Sequence, residues 1–295
     1  MLSILVPIYN CIVIKLIETL HKQLERSNID YEIICLDDAS KSHFTTQNKV
    51  VESYTNTRYI VLSQNTGRAI AKHQLCQKAT YPWILFLDAD VEITNPQFIQ
   101  NYLSHINSNF DFIFGGFTYK TNQPDSDSVL RWKYGKAHES VPASQRNKLP
   151  YKVTIAANVL AKKESYLSLG IDTFGQNYGM DLLIGTMLKK LKKQVLHIDN
   201  PVYHIGLEQN KVYIQKKERA ANSLLKQYYD GVKESSNTLL NTFIALKKFK
   251  LNFLLAGLFR FFKQKMIKNL TSSNPNIKIF QFYRISYMCW KDLNP

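Results

Sequence analysis

Four short β-rich apolar runs, separated by helix-periodic stretches, fill residues 2–90, and each gives way to acids or amides. Leu2–Ile8 is followed by Tyr9-Asn10, and Glu32–Leu36 by Asp37-Asp38-Ala39-Ser40. Arg58–Leu62 is followed by Ser63-Gln64-Asn65-Thr66-Gly67, and Trp83–Leu87 by Asp88-Ala89-Asp90. Between runs, Ile12, Leu16, Ile17, Leu20 and Leu24 recur at helical spacing, as do Ala71, Leu75 and Ala79. Strands alternating with helices specify βαβ units and a mostly parallel sheet flanked by helices, an α/β fold. In such sheets ligands bind beyond the carboxyl ends of the strands. Tyr9, Asp38, Asn65, Asp88 and Asp90 all fall there.

The fourth run carries the most specific chemistry. Asp88 and Asp90 are spaced i, i+2, which puts both carboxylates on one side of an extended or turning backbone. Paired hard oxygen ligands suit Mg²⁺ or Mn²⁺ and, through the metal, a diphosphate. A D-x-D is also what any loop of soluble residues can begin with, so its neighbours decide. No G-x-G-x-x-G follows the first strand, which disfavours a dinucleotide-binding dehydrogenase. A phosphoacceptor switch domain would explain Asp37-Asp38 but not the D-x-D.

In order and spacing, VPIYN, EIICLDDAS, NTG-x-x-x-AK and ILFLDAD resemble the nucleotide-binding half of a family 2 glycosyltransferase of the GT-A fold. A later block resembles that family's acceptor half. It runs from Asn158-Val159-Leu160 through Gly170-Ile171-Asp172-Thr173-Phe174 to Tyr178-Gly179-Met180-Asp181. The matches cover residues 2–206. The resemblance implies an inverting, metal-dependent enzyme of hexosyltransferase type using Mn²⁺ or Mg²⁺. It would move a sugar from a nucleotide-diphosphate sugar, UDP-linked by preference, to a hydroxyl of a glycan or lipid-linked acceptor in cell-surface polysaccharide synthesis. The chain then divides into a donor-binding half (1–117), an acceptor-binding half (118–206) and a helical C-terminal extension (207–295).

Roles follow residue by residue. Pro7 and Tyr9 resemble residues that line the nucleotide pocket, Tyr9 offering a stacking face. Asp38, the second acid of its pair, would accept from a base imide or ribose, while Asp37 shapes the turn. Asn65, Gly67 and Lys72 match an N-x-G-x-x-x-A-R-N block. There Lys72 replaces the usual Arg and supplies a point charge rather than a fork, and Arg68, one turn earlier, could share the phosphate. Asp90 would ligate the metal directly, and Asp88 would touch ribose or the metal through water. His204, after Asn200-Pro201-Val202-Tyr203, resembles a strand-final His that completes the metal site. Asp181 would be the general base, although an acid opening a helical run is equally a routine cap. Met180 stands where the family has Glu, which keeps alive a second reading, a catalytically weak, membrane-associated interaction subunit.

The 295 residues, 45% apolar, suffice for a substantial core. The four cysteines are scattered without C-x-x-C spacing, so neither a disulfide scaffold nor a zinc site is expected. No basic-led signal segment precedes the first run, and no apolar run approaches the ~20 residues of a membrane span. The net charge of +15 is concentrated. Residues 235–291 contain no Asp or Glu but ten Lys and Arg, interleaved with Phe and Leu. Such a segment reads as a basic amphipathic helix lying in an anionic membrane surface, or as helices packed with a solvated basic face. No nucleic-acid-binding motif accompanies the charge. The expected location is cytoplasmic, peripheral to the inner face of the cell membrane. The polar stretch Thr121–Ala143 is expected to be a long loop over the cleft.

Overall fold

The structure is a computed structural model describing residues 1–171, 180–231 and 237–294, with only the backbone of 180–183. Two compact units interleave along the chain. One comprises Met1–Thr118, Ser140–Gln176 and Met187–Gly206; the other comprises Tyr119–Glu139, Asn177–Thr186 and Leu207–Pro295.

The first unit is built on strands β1 (Leu2–Ile8), β2 (Tyr31–Asp37), β3 (Thr57–Val61), β4 (Trp83–Leu87), β5 (Val91–Glu92), β6 (Phe112–Phe114), β7 (Phe117–Thr118), β8 (Asn158–Lys162), β9 (Val195–His197) and β10 (Val202–His204). The principal sheet has the order β3-β2-β1-β4-β8-β6-β9. β3, β2, β1 and β4 run parallel, and β8 is antiparallel to both β4 and β6. β2 and β4 are buried along their whole length, the continuous apolar pattern of strands covered on both faces, whereas edge strand β3 alternates with exposed positions. Helix α1 (Ile14–Glu25) buries Leu16, Ile17, Leu20 and Leu24 in the core that holds Leu2, Ile4 and Val6 of β1. Short helices α2 (Ser42–Asn48), α3 (Arg68–Lys78) and α4 (Phe98–Leu103) complete the crossovers. The four runs read from sequence are thus β1 to β4, shifted by at most a residue or two at their ends.

A small second sheet, β5-β10-β7, finishes this unit. It is positioned by Asn158, fully buried at the start of β8. The Asn158 amide donates to Gly116 O and Asn200 O, both at 2.9 Å, and its Oδ1 accepts from Tyr102 Oη at 2.7 Å. Gly115 lies against this knot; a Cβ there would meet Tyr102 Oη at 2.3 Å and Asn200 O at 2.6 Å.

The other unit is helical. The stretch expected to be a loop contains a helix, α5 (Val129–His138); next in the chain come α6 (Ala143–Arg146) and α7 (Lys163–Leu167), which belong to the sheet unit, and α8 (Met180–Lys190). α5 looks polar because its buried ionic residue is paired: Arg131 donates to Glu139 at 2.9 Å. Leu130 N donates to Asn210 Oδ1 at 2.9 Å, tying α5 to α9 (Asn210–Tyr229). The basic tail is not one helix but three: α10 (Thr238–Lys248), α11 (Asn252–Leu270) and α12 (Ile277–Leu293). They share a core containing Leu240, Phe243, Phe259, Tyr283 and Met288. Asn276, in the expected Asn274-Pro275-Asn276 break, caps α12 by accepting from Lys278 N and Ile279 N. Among the described residues no helix is long and apolar enough to cross a membrane.

Candidate active site

Every sequence-predicted site residue except Asp181 lies in the sheet unit: Pro7 within β1, Lys72 within α3, His204 at the end of β10 and the others beyond the carboxyl ends of β1 to β4. Buried Asp37 closes the turn after β2, accepting from Ser40 N at 2.7 Å and from Tyr59 Oη at 2.5 Å. Asp38 faces the loop after β3. Its Oδ1 accepts from Thr66 N (2.7 Å) and Thr66 Oγ1 (2.8 Å), and its Oδ2 accepts from Gly67 N (2.8 Å). Asn65 Nδ2 donates to Asp38 O at 3.0 Å. A carboxylate has about four acceptor sites, and Asp38 spends three of them on organising this loop. Gly67, at φ +85, opens α3 from the left-handed region that favours glycine. Tyr9 is 56% exposed beyond β1, its ring available for stacking.

α3 then delivers two cations to Asp88. Arg68 pairs with Asp88 Oδ2, and Lys72 Nζ lies 3.1 Å from Oδ1 while donating to Ala156 O at 2.6 Å. Burial by itself would raise the pKa of Asp88; Arg68 and Lys72 outweigh it and hold the carboxyl below its ordinary value. The two cations differ in freedom. The Lys72 side chain is almost wholly buried, whereas that of Arg68 is about half exposed.

Asp90 has different company. β10 pairs antiparallel with β5, His204 opposite Val91, and Ile205 N donates to Asp90 O at 3.0 Å. This brings His204 Nε2 to 3.1 Å from Asp90 Oδ2 across more than a hundred residues. The imidazole stacks on Phe117, centroids 5.2 Å apart, which fixes its orientation. Gly206 leaves room beside the carboxylate, where a Cβ would come within 2.2 Å of Asp90 Oδ2. One carboxylate and one imidazole suit Mn²⁺ or Mg²⁺ as a partial ligand set, with further oxygens coming from a diphosphate and water. Among the described residues no third His, Cys, Asp or Glu joins them.

His197 is structural, as its strand context suggests. It lies between Arg146 Nη1 and Pro150 O, each at 2.8 Å, and burial lowers its pKa to about 4. A cavity of about 500 Å³ opens at the opposite, amino-terminal edge of β2 and β3, beside Glu32 and Arg58. Glu32 there is already bonded to Ser3, Arg58 and Thr80. Asp181 falls in the first turn of α8, and its side chain lies outside the described residues. The sequence alone assigns no role to Gly206 or to the pairing of Arg68 with Asp88, and it marks Asn158 only as the residue that opens the acceptor-half block. Of these, Gly206, two residues after His204, and Asn158 left a visible signal.

The profile of "Glycosyl transferase family 2" matches residues 3–162, more than half of the chain. The chain belongs to this family. The teichoic acid poly(glycerol phosphate) polymerase of Staphylococcus epidermidis is 24% identical to it over 262 residues, 83% of the chain. The chain spans only 34% of that protein. Among solved structures, the mannosyltransferase PcManGT of Pyrobaculum calidifontis, in complex with GDP-Man and Mn²⁺, aligns over 99% of this chain and 86% of its own, with TM-score 0.57 and 13% identity. Glucosyl-3-phosphoglycerate synthase of Mycobacterium tuberculosis, in complex with Mg²⁺ and UDP, aligns over 76% and 78%, with TM-score 0.50 and 14% identity. At these identities the likeness establishes the fold: a mostly parallel α/β sheet flanked by helices, followed by C-terminal helices.

Proposed function

We propose that this family 2 protein is an inverting glycosyltransferase that takes a sugar from a nucleotide-diphosphate sugar to a hydroxyl of a glycan or lipid-linked acceptor. The observation that carries the reading is the contact of Asp90 with His204 beside an Asp88 held by two cations, all beyond β4. In this reading residues 1–117 hold the donor and 118–206 shape the acceptor side. Pro7 and Tyr9 flank the base, Asp38 uses its remaining acceptor site on base or ribose, and Asn65 and Gly67 hold the loop beneath them. Asp90 and His204 would hold Mn²⁺ or Mg²⁺, which when bound supplies Lewis-acid charge to the departing diphosphate. The neighbours solved with Mn²⁺ and GDP-Man and with Mg²⁺ and UDP are consistent with that donor class. Arg68 swings from Asp88 to the phosphates, while Lys72 keeps Asp88 ionised. Asp181 takes the acceptor proton as the hydroxyl attacks the anomeric carbon, and a single displacement inverts it.

The likeness to a teichoic acid polymerase favours a cell-surface polymer as product, and the basic tail favours an anionic membrane surface as partner, at its cytoplasmic face. A thermal-shift screen of nucleotide diphosphates with and without Mn²⁺ tests the donor site. A ligand at ~100 Kd adds about 2.7 kcal/mol of stability, and the gain should require Mn²⁺. No shift with any nucleotide would favour the interaction-subunit reading that Met180 keeps open.

A further inference from the structure

α11 spends only one side on the helical core. Ala256, Phe259, Met266 and Leu270 are buried there, whereas Phe253 (61%), Leu254 (60%) and Phe261 (76%) are exposed. At 3.6 residues per turn, positions 253, 254, 257 and 261 fall within about 100° of helix circumference, so they form one outward strip. Arg260 and Lys265, both exposed, fall at its two edges, and Lys268 continues it toward the C-terminus. At the corner before α11, Phe249 is 70% exposed, next to exposed Lys248 and Lys250. Lys250 has φ +59, the helix-stop position that glycine usually fills. A cation therefore sits where backbone economy alone would choose Gly.

We infer that this outward strip of α11, with the Phe249–Leu251 corner, is a membrane-insertion element. Phe249, Phe253, Leu254 and Phe261 enter the acyl region of an anionic bilayer, and Lys248, Lys250, Arg260, Lys265 and Lys268 engage lipid phosphates. It rests on the membrane reading given above and assigns that reading to particular side chains. Charge complementarity selects the occupant: no Asp or Glu occurs between 235 and 291, so the cations at this surface have no acid of their own segment beside them. Shape selects it too. The apolar residues stand on a convex helix face, which suits a fluid lipid surface, whereas protein hot spots fill complementary pockets and favour Trp, Tyr and Arg. Lys247 is not part of the element, because its Nζ is engaged by Asp292 Oδ1 at 2.6 Å.

The test is cosedimentation of the full chain with equimolar phosphatidylglycerol–phosphatidylcholine vesicles and with phosphatidylcholine vesicles alone. The chain should pellet with the anionic vesicles, less so at high salt. Phe253→Ser/Phe261→Ser should weaken the partition about tenfold or more, and Trp at position 261 (Phe261→Trp) should be quenched by brominated acyl chains. Failure to pellet, equal pelleting of the double variant, or absence of quenching overturns the assignment. So does self-association that the double variant abolishes, which would make the strip a subunit contact. Donor hydrolysis in vesicle-free solution separates the two readings. Hydrolysis without vesicle binding removes the membrane element alone; binding through the strip without hydrolysis supports it and removes the transferase reading.

Discussion

Asp88 is largely buried against Arg68 and Lys72, whereas Asp90, two residues on, has a side chain 38% exposed on one side and His204 on the other. The first acid is therefore committed to two cations, while the second keeps an exposed edge. Gly206→Ala should push the Asp90 carboxylate aside without unfolding the sheet, since its Cβ would fall 2.2 Å from Oδ2. The expected outcome is about a tenfold or greater loss of Mn²⁺ affinity, read by calorimetry. Arg68 and Lys72 should separate cleanly. Arg68→Ala, at the half-exposed cation, should raise the donor KM about tenfold with little change in melting temperature. Lys72→Met leaves a largely buried carboxylate short of a partner and should destabilise by about 2–3 kcal/mol. The positions of Asp38, Asp88 and Asp90 just past the ends of apolar strands were legible in the sequence, and that of His204 at a strand's end through the family resemblance. The grip of Asp38 on Thr66 and Gly67 was not, because which lone pairs a loop fills depends on where it folds back.

Strand β10 brings His204 to Asp90 from a distant part of the chain, and it is held in place by Val202 in the core together with the hydrogen bonds of Asn158 and Asn200. Asn158→Ala would remove the side-chain bonds to Tyr102 Oη, Gly116 O and Asn200 O and should lower stability by about 2–3 kcal/mol, with loss of Mn²⁺ affinity as His204 drifts from Asp90. Urea denaturation together with metal titration checks both. Elements with a clear period were legible: β1 to β4, α1 and α3. α5 was not, because its buried Arg131 and exposed-looking sequence hide an internal ion pair that only the fold brings together. The tail's interleaved Phe and Leu likewise gave the right composition for two arrangements. The structure divides them, with Leu240, Phe243 and Phe259 in a core and Phe249, Phe253, Leu254 and Phe261 outside it.

Over the whole chain, both units hold carboxyls below their ordinary pKa and should lose stability in acid. In the helical unit Glu139 is half-buried; burial would raise its pKa, but Arg131 and Lys217 outweigh this and lower it to about 2 from 4.5. A depressed carboxylate contributes stability above its unfolded value and loses it as pH falls toward the folded one. Helical signal should therefore weaken between about pH 4.5 and 2, and Glu139→Gln should flatten that dependence; circular dichroism melts across this range decide. The account as a whole turns on a divalent ion held by Asp90 and His204 so that a sugar can leave its diphosphate. The direct measurement is release of nucleoside diphosphate from UDP- and GDP-sugars by the full chain, with Mn²⁺ and with chelator, for the native protein and Asp90→Ala. Release that needs Mn²⁺ and falls about a hundredfold or more in Asp90→Ala is the predicted result. Metal-independent release, or an Asp90→Ala protein that works as well as the native one, would contradict it.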